Sequence, residues 1–266
     1  AVLNNRVKLS VDVYKKNTKD LLQLIYFPGY SIPYYYNAGE IENKGLEIGL
    51  NTRNLTGTLK WDTNFNISFN DNKVIKLGLL KKLPFQNLTS VGESIILLTE
   101  GSSLGSFYGY KVDKVDPATG SLLYKDINGD GAITPDDRTT IGNPNPKCTF
   151  GINNDFTYKG FSLNTLITGS EGGAIFNASR MDLSLMNNYN NQSTDVLNRW
   201  TTVGQITDVP KVNDANSVHI SDRFVEDGSY IRLKAVTLGY QFKFENLKIN
   251  SIKLYVTGQN LYTITN

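Results

Sequence analysis

Apolar and polar residues alternate with a period of two along most of this chain, the spacing of strands that keep one face dry. The clearest run is 59–70, where Leu59, Trp61, Thr63, Phe65, Ile67 and Phe69 alternate with Lys60, Asp62, Asn64, Asn66, Ser68 and Asn70. Val7, Leu9, Val11 and Val13 repeat the idea against Lys8, Ser10, Asp12 and Tyr14, as do Leu46, Ile48 and Leu50. Phe150, Ile152 and Phe156 share one face, Phe161, Leu163, Thr165 and Ile167 another, and Ile252, Leu254 and Val256 a third. Between 229 and 242 the phase changes, with Ile231 and Leu233 on one parity and Val236, Leu238 and Tyr240 on the other. An extra residue near Ala235 reconciles the two halves, so the pattern predicts one long strand with a β-bulge.

Several segments reach the ten or so residues that a tilted bilayer-crossing strand needs, above the five or six usual in soluble sheets. The connections alternate as well. Short links join the pairs at 53–57, at Lys159-Gly160 and near Glu245-Asn246, whereas long excursions occupy about 16–40, 71–146 and 170–228. Short turns at one end and long loops at the other are the habit of transmembrane barrels, and the reading is an all-β transmembrane antiparallel β-barrel. Seven strands are visible, an odd number for a closed bacterial barrel, so a returning strand is expected beyond Asn266. With Ala1 in place of an initiator Met, the sequence reads as part of a longer chain.

Composition narrows the function. With 27 Lys+Arg against 25 Asp+Glu, the formal charge of +2 excludes the strong basic field of a dedicated nucleic-acid binder. One Cys and one His exclude an internal disulfide and a His-rich zinc site; Cys148 reads as a plain strand residue and His219 as a loop residue. Catalysis finds little support: the sequence shows no glycosidase spacing for the paired carboxylates Glu40/Glu42 and Asp136/Asp137, His219 has no nucleophile elbow nearby, and the Gly-rich fragments 101–105 and 169–173 lack the Lys of a phosphate loop.

Two clusters could bind ligands. Residues 126–137 fit the calcium-loop pattern D-x-[DN]-x-[DN]-G with a carboxylate at the twelfth place. Asp126, Asn128 and Asp130 would offer side-chain oxygens, Ala132 a backbone carbonyl, Thr134 a direct or water-bridged oxygen and Asp137 the last carboxylate, for a structural Ca2+. The alternative is a turn of Asx and Gly residues that binds no ion. In the first long excursion Tyr26, Phe27, Tyr30, Tyr34, Tyr35 and Tyr36 gather with Pro28 and Pro33. Tyr30, Tyr34, Tyr35 and Tyr36 are the candidates for contact with substrate, since exposed Tyr faces stack on sugars and pack on peptides.

A set of motifs spread over nearly the whole chain resembles the SusC/RagA family of TonB-dependent outer-membrane transporters. They are Tyr36-Asn-Ala-Gly-Glu-Ile-Glu-Asn-Lys-Gly-Leu-Glu47, Gly109-Tyr-Lys, Tyr124-Lys-Asp-Ile-Asn-Gly-Asp-Gly and Ile141-Gly-Asn-Pro-Asn-Pro-Lys, followed by Asn198-Arg-Trp200, Val225-Glu-Asp-Gly-Ser-Tyr-Ile-Arg-Leu-Lys234 and Leu254-Tyr-Val-Thr-Gly-Gln-Asn-Leu261. The resemblance implies the C-terminal strands of a plugged barrel of about 22 strands, with the plug and the TonB-contacting segment outside these residues. It implies a Gram-negative outer-membrane location, a SusD-like surface lipoprotein as partner, a dimer of transporter–lipoprotein pairs, and import of oligosaccharides or peptides without enzymatic activity. The rival expectations are a soluble extracellular carbohydrate-binding β domain with a structural calcium site and, further off, a glycoside hydrolase.

Overall fold

The computed structural model describes residues 5–25, 34–78, 82–88, 91–187, 189–244 and 249–265. Its main feature is a seven-stranded antiparallel wall formed by β1 (Val7–Ile25), β2 (Tyr34–Thr56), β3 (Leu59–Leu77), and four later strands. Between β3 and the rest of the wall come β4 (Lys82–Leu88), β5 (Glu93–Thr99), β6 (Phe107–Gly109), β7 (Val112–Val115), β8 (Leu122–Tyr124) and β9 (Thr139–Gly142). The wall resumes with β10 (Cys148–Tyr158) and β11 (Phe161–Glu171). A second insertion holds β12 (Ala174–Phe176), α1 (Ala178–Ser184) and β13 (Val225–Asp227) before the last wall strands, β14 (Tyr230–Lys243) and β15 (Ser251–Thr265). Sequence neighbours pair throughout the wall, in the order β1-β2-β3-β10-β11-β14-β15.

Register carries the alternation across strand boundaries. Val11, Ile48, Ile67, Phe150, Gly169, Ile231 and Ile264 form one row, and Leu9, Leu50, Phe65, Ile152, Ile167, Leu233 and Tyr262 the next. The opposite face carries rows such as Ser10–Gly49–Asn66–Gly151 and Asp12–Glu47–Ser68–Thr149. Thr63 and Asn154 interrupt the apolar face, and they bond to each other. Asn154 Oδ1 accepts from Trp61 Nε1 at 3.0 Å and from Thr63 Oγ1 at 2.7 Å. An unpaired carboxamide in an apolar medium would cost several kcal/mol, about 4–8 by transfer to hydrocarbon, and this pairing offsets the part due to the oxygen.

The apolar face has measurable limits. At the short-turn end, Leu59, Tyr158, Phe161, Tyr240 and Leu254 share a row, with Trp61 stacked on Phe156 at 5.4 Å and Phe161 against Tyr240 at 4.5 Å. At the other end the last apolar row is Val13–Leu46–Phe69, and the next on that face is Lys15–Lys44–Asp71. Leu59 to Phe69 spans about 33 Å along the strand, or about 25 Å at a tilt near 40°, the height of a barrel's lipid band.

The bulge expected near Ala235 is present one residue earlier. Pairing of β14 jumps from Leu233 to Ala235 against both neighbours, leaving Lys234 out of register. Lys159 and Gly160, at φ 45° and 90°, close the β10–β11 hairpin in the left-handed conformation that a two-residue hairpin turn demands. The link near Glu245-Asn246 lies outside the described residues.

The excursions differ from expectation. The first is not a loop over 16–40: β1 runs to Ile25 and β2 starts at Tyr34, with a register shift between Thr18 and Leu21. Likewise β3 continues to Leu77 and β11 to Glu171, so the second and third excursions begin later than 71 and 170. Beyond the lipid band both faces of these strands meet polar surroundings, as Lys15, Lys16, Asn17, Thr18 and Lys19 show, and the period of two disappears.

The second and third excursions fold together into a cap. Their buried residues make four small clusters: Tyr110, Val115, Leu122 and Tyr124 with Trp200; Ile95, Phe107 and Ile220; Met181, Leu185 and Phe224; and Met186, Val196 and Val209.

Candidate functional site

Wall and cap meet over the polar face. The upper end of β3 continues into the cap, with Val74 N donating to Ser102 O at 2.9 Å and Gly101 N to Val74 O at 2.8 Å. Asn72, buried at 6 % exposure, accepts from Leu104 N at 2.7 Å, and Asn145 Nδ2 donates to Leu104 O at 2.9 Å. Below this seam opens a cleft of about 780 Å³, lined from the wall by Tyr14, Gly45, Asn70 and Asn72 and from the cap by Ser103, Asn143, Asn145 and Lys147. Lower on the same face, Asn164 Nδ2 donates to Asn153 Oδ1 at 2.9 Å and to Asp155 Oδ1 at 2.6 Å. This surface is hydrophilic, hydrogen-bonded and fixed on strands.

The cap is clasped by side chains that reach between its two insertions. Glu93 Oε1 lies 2.6 Å from His219 Nδ1, and Glu93 Oε2 accepts from Ile220 N at 3.0 Å. Burial pushes the Glu93 carboxyl up, but the His219 hydrogen bond, the Ile220 amide and the Arg138 charge together hold it below the ordinary carboxylate range. The Arg138 guanidinium sits over the rings of Tyr108 and Tyr110, at 5.1 and 5.9 Å, and donates to the carbonyls of Ser94 and Tyr108. Tyr110 stacks on Tyr124 at 4.8 Å, and burial raises both phenols above their usual value. Asp214, Asp222 and Trp200 complete the clasp through Leu122 N at 2.9 Å, Val112 N at 2.9 Å and Pro117 O at 3.0 Å. His219 is a loop residue, just after the 3-10 turn Ala215–Val218, and serves there as a clasp. Its partner Glu93 is 126 positions away, a pairing that only the fold reveals.

The aspartate loop closes on itself. Asp126 accepts from Gly129 N at 2.6 Å and Gly131 N at 2.8 Å, Asn128 from Asp130 N at 3.0 Å, and Asp130 from Ala132 N at 2.9 Å. Asp137, fully buried, accepts from Ile127 N, Asn128 N and Thr134 N. Those amides, Thr134 foremost, hold its carboxyl low against the opposing effect of burial. Thr134 and Asp137 form a capping box on the 3-10 turn Pro135–Asp137, so the carboxylate at the twelfth place serves the turn. Among the described residues no group of three or more His, Cys, Asp or Glu is gathered to hold a metal ion. Each carboxylate oxygen of Asp126 and Asp130 still has a second lone pair that an ion could share.

Among the described residues of the aromatic run, Tyr34, Tyr35 and Tyr36 do not share one face. Tyr34, Tyr35 and Tyr36 are the first residues of β2, paired with Ile25, Leu24 and Gln23, so Tyr35 points away from the face that Tyr34 and Tyr36 share. Tyr30 lies outside the described residues. Nine residues separate Tyr36 from Gly45, roughly 30 Å along the strand, so this group is remote from the cleft.

A sheet with one apolar face of lipid-band height, an aromatic rim and a hydrogen-bonded polar face is the wall of a transmembrane β-barrel. The chain belongs to the TonB dependent receptor-like, beta-barrel family, which it matches over residues 2–261. It is 36% identical over its full length to the TonB-dependent receptor P3 of Formosa agariphila, covering 28% of that protein. The TonB-dependent receptor SusC of Bacteroides thetaiotaomicron is 26% identical over 99% of the chain, which covers 27% of it. The RagAB peptide importer in its "closed-closed" state superposes with a TM-score of 0.82 at 25% identity, over 99% of this chain and 30% of that one. The chain thus spans under a third of the relatives it matches, and it is an outer-membrane β-barrel protein.

Proposed function

We propose that these residues form the C-terminal part of the barrel of a TonB-energised importer, which takes up oligosaccharides or peptides across the outer membrane. In this reading the short turns face the periplasm, the cap is extracellular, and the polar face lines the lumen against a plug contributed by other parts of the protein. A SusD-like surface lipoprotein closes the mouth above the cap, and two such pairs associate. The chain contributes wall, lumen lining and mouth, and no catalysis. The observation that carries the reading is the opposition of the two faces: bare apolar rows outside, and on the other side a hydrogen-bonded polar face with a cleft of about 780 Å³ beneath a folded cap. The 36% identity to a TonB-dependent receptor along the whole chain supports it.

Within this reading the aspartate loop shapes the mouth, and extracellular Ca2+ at millimolar concentration reinforces it through Asp126, Asn128 and Asp130. The importer assignment is tested by disrupting the full-length gene and measuring uptake of labelled oligosaccharides and peptides, together with affinity purification of the intact transporter. Loss of uptake of one cargo class and co-purification of a lipoprotein support the assignment. Unchanged uptake of both classes overturns it.

A further inference from the structure

We infer that the wall–cap cleft is a sugar-binding subsite, in which Tyr14 offers an aromatic platform to one neutral pyranose unit of an oligosaccharide. The inference rests on the import reading and adds a ligand class and a residue to it. Tyr14 is fixed in a particular attitude. Its hydroxyl donates to Asn70 Oδ1 at 2.8 Å, and its ring covers Gly45 so closely that a Cβ there would lie 2.2 Å from Tyr14 Cζ. One ring face is used against the wall, and the other is left to the cleft that Tyr14 lines.

The surroundings suit hydroxyl groups. The carboxamides of Asn70, Asn143 and Asn145 and the hydroxyl of Ser103 line the same space. Asn70 spends its oxygen on Tyr14, and its Nδ2 has no hydrogen-bond partner among the described residues. The frame is rigid before any ligand arrives, because Asn145 Nδ2 also bonds Asn143 Oδ1 at 2.8 Å. A planar carboxamide presents donor and acceptor side by side, the match for vicinal hydroxyls that both give and take hydrogen bonds. An aromatic face suits the flat C–H face of a pyranose. Lys15 and Lys44 at the rim both bind Glu42, at 2.8 and 2.6 Å, and Lys147 lines the cleft from the cap. The polar side chains of Asn70, Asn72, Ser103, Asn143 and Asn145 that line the cleft are neutral, as an uncharged sugar requires. The cavity volume lies inside the range of about 300–1,000 Å³ typical of small-ligand sites.

The test uses the full-length transporter, purified from outer membranes, on an array of neutral glucan, mannan, xylan and galactan oligosaccharides beside random peptides of similar mass. Native protein should retain at least one oligosaccharide class. Tyr14→Ala should weaken that binding about tenfold, and Tyr14→Phe, which keeps the face but loses the bond to Asn70, by no more than about threefold. Tyr14→Leu keeps bulk over Gly45 without an aromatic face and should match Tyr14→Ala, so a failure of the alanine variant to assemble leaves a second reading. Retention of peptides alone, of no oligosaccharide, or binding indifferent to both aliphatic variants overturns the subsite. Uptake that persists in those variants with unchanged affinity sinks the subsite and leaves import standing. Uptake untouched by gene disruption removes the import reading itself.

Discussion

Wall and cap use apolar side chains in opposite ways. In the wall, Ile231, Leu238 and Phe161, all on interior strands, are 47%, 50% and 54% exposed, although they sit in continuous apolar rows. In the cap, Phe224 is 2% exposed, Met181 and Ile220 not at all, and every buried apolar residue among those described falls between Val74 and Phe224. The wall is held by backbone ladders and by the medium its outer face meets; lipid supplies the apolar surroundings that a soluble sheet finds in a second layer. The cap is held by many small cores, as a soluble protein is, and by polar clasps between its two insertions. One chain thus carries two solutions to the same solvation problem, divided at the row where Phe69 gives way to Asp71.

The largest effect should come from emptying a cap core. Phe224→Ala removes a ring packed with Met181 and Leu185 and should cost about 3–5 kcal/mol within the cap. Limited proteolysis of the intact transporter should then cut within 174–224 while the barrel keeps its heat-modifiable mobility on gels. Simultaneous loss of both would show that wall and cap are one cooperative unit, and would break the division just drawn. The reciprocal change is Ile152→Arg, at mid-height of the apolar face beside Phe65 and Ile167. A charge near the middle of the lipid band costs about 2–4 kcal/mol. Urea unfolding in lipid vesicles should lose that amount, with cap protease resistance unchanged. The control Asn66→Arg, on the polar face next to Phe65, should cost far less; equal costs would refute the assignment of faces.

These two regions also differ in how far the sequence discloses them. The wall was legible wherever water and lipid impose a difference between faces, as in 59–70, at the Lys159-Gly160 turn and at the bulge by Ala235. It became illegible above the band, where Lys15 and Lys16 both meet polar surroundings and the strand continues unseen. The cap was scarcely legible at all. Strands of three or four residues such as β6 and β8 leave no period, and its cores join residues far apart, as Leu122 and Trp200 show. Among candidate sites, the 126–137 motif marked a real turn, since Asp and Asn side chains there do capture backbone amides. The tyrosine run falls on a strand, where three adjacent residues cannot share a face, a placement its composition does not disclose. Tyr14 looked like one more member of the polar parity, and only register places it over Gly45 and beside Asn70.

The aspartate loop tests whether the cap needs anything beyond its own hydrogen bonds. Asp137→Ala strips the acceptor from three amides and should expose 126–137 to protease whether or not Ca2+ is present. In native protein, millimolar Ca2+ should slow that cleavage a further few-fold, and a chelator should abolish the gain. Identical rates with Ca2+ and chelator would reduce the loop to a self-sufficient turn.

The smallest effect is electrostatic and concerns the clasp between the insertions. Glu93 has a folded-state pKa below its ordinary value near 4.5 because His219, Ile220 N and Arg138 favour its ionised form against burial. A depressed carboxyl pKa stabilises the folded state above the unfolded pKa and loses that contribution as pH falls through the folded one. Cap stability from this source should therefore be complete at neutral pH and decline below about pH 4.5. Glu93 belongs to the cap, so cap cleavage should accelerate in acid more than barrel mobility on gels changes; in the wall, Glu42 is likewise held low by Lys15 and Lys44. Glu93→Gln, which keeps an acceptor for Ile220 N but removes the charge, should flatten that acid response and leave a modestly weaker cap at pH 7. An acid response of the same size in Glu93→Gln would place its origin in other carboxylates, with Asp137, whose pKa is also depressed, the next to replace.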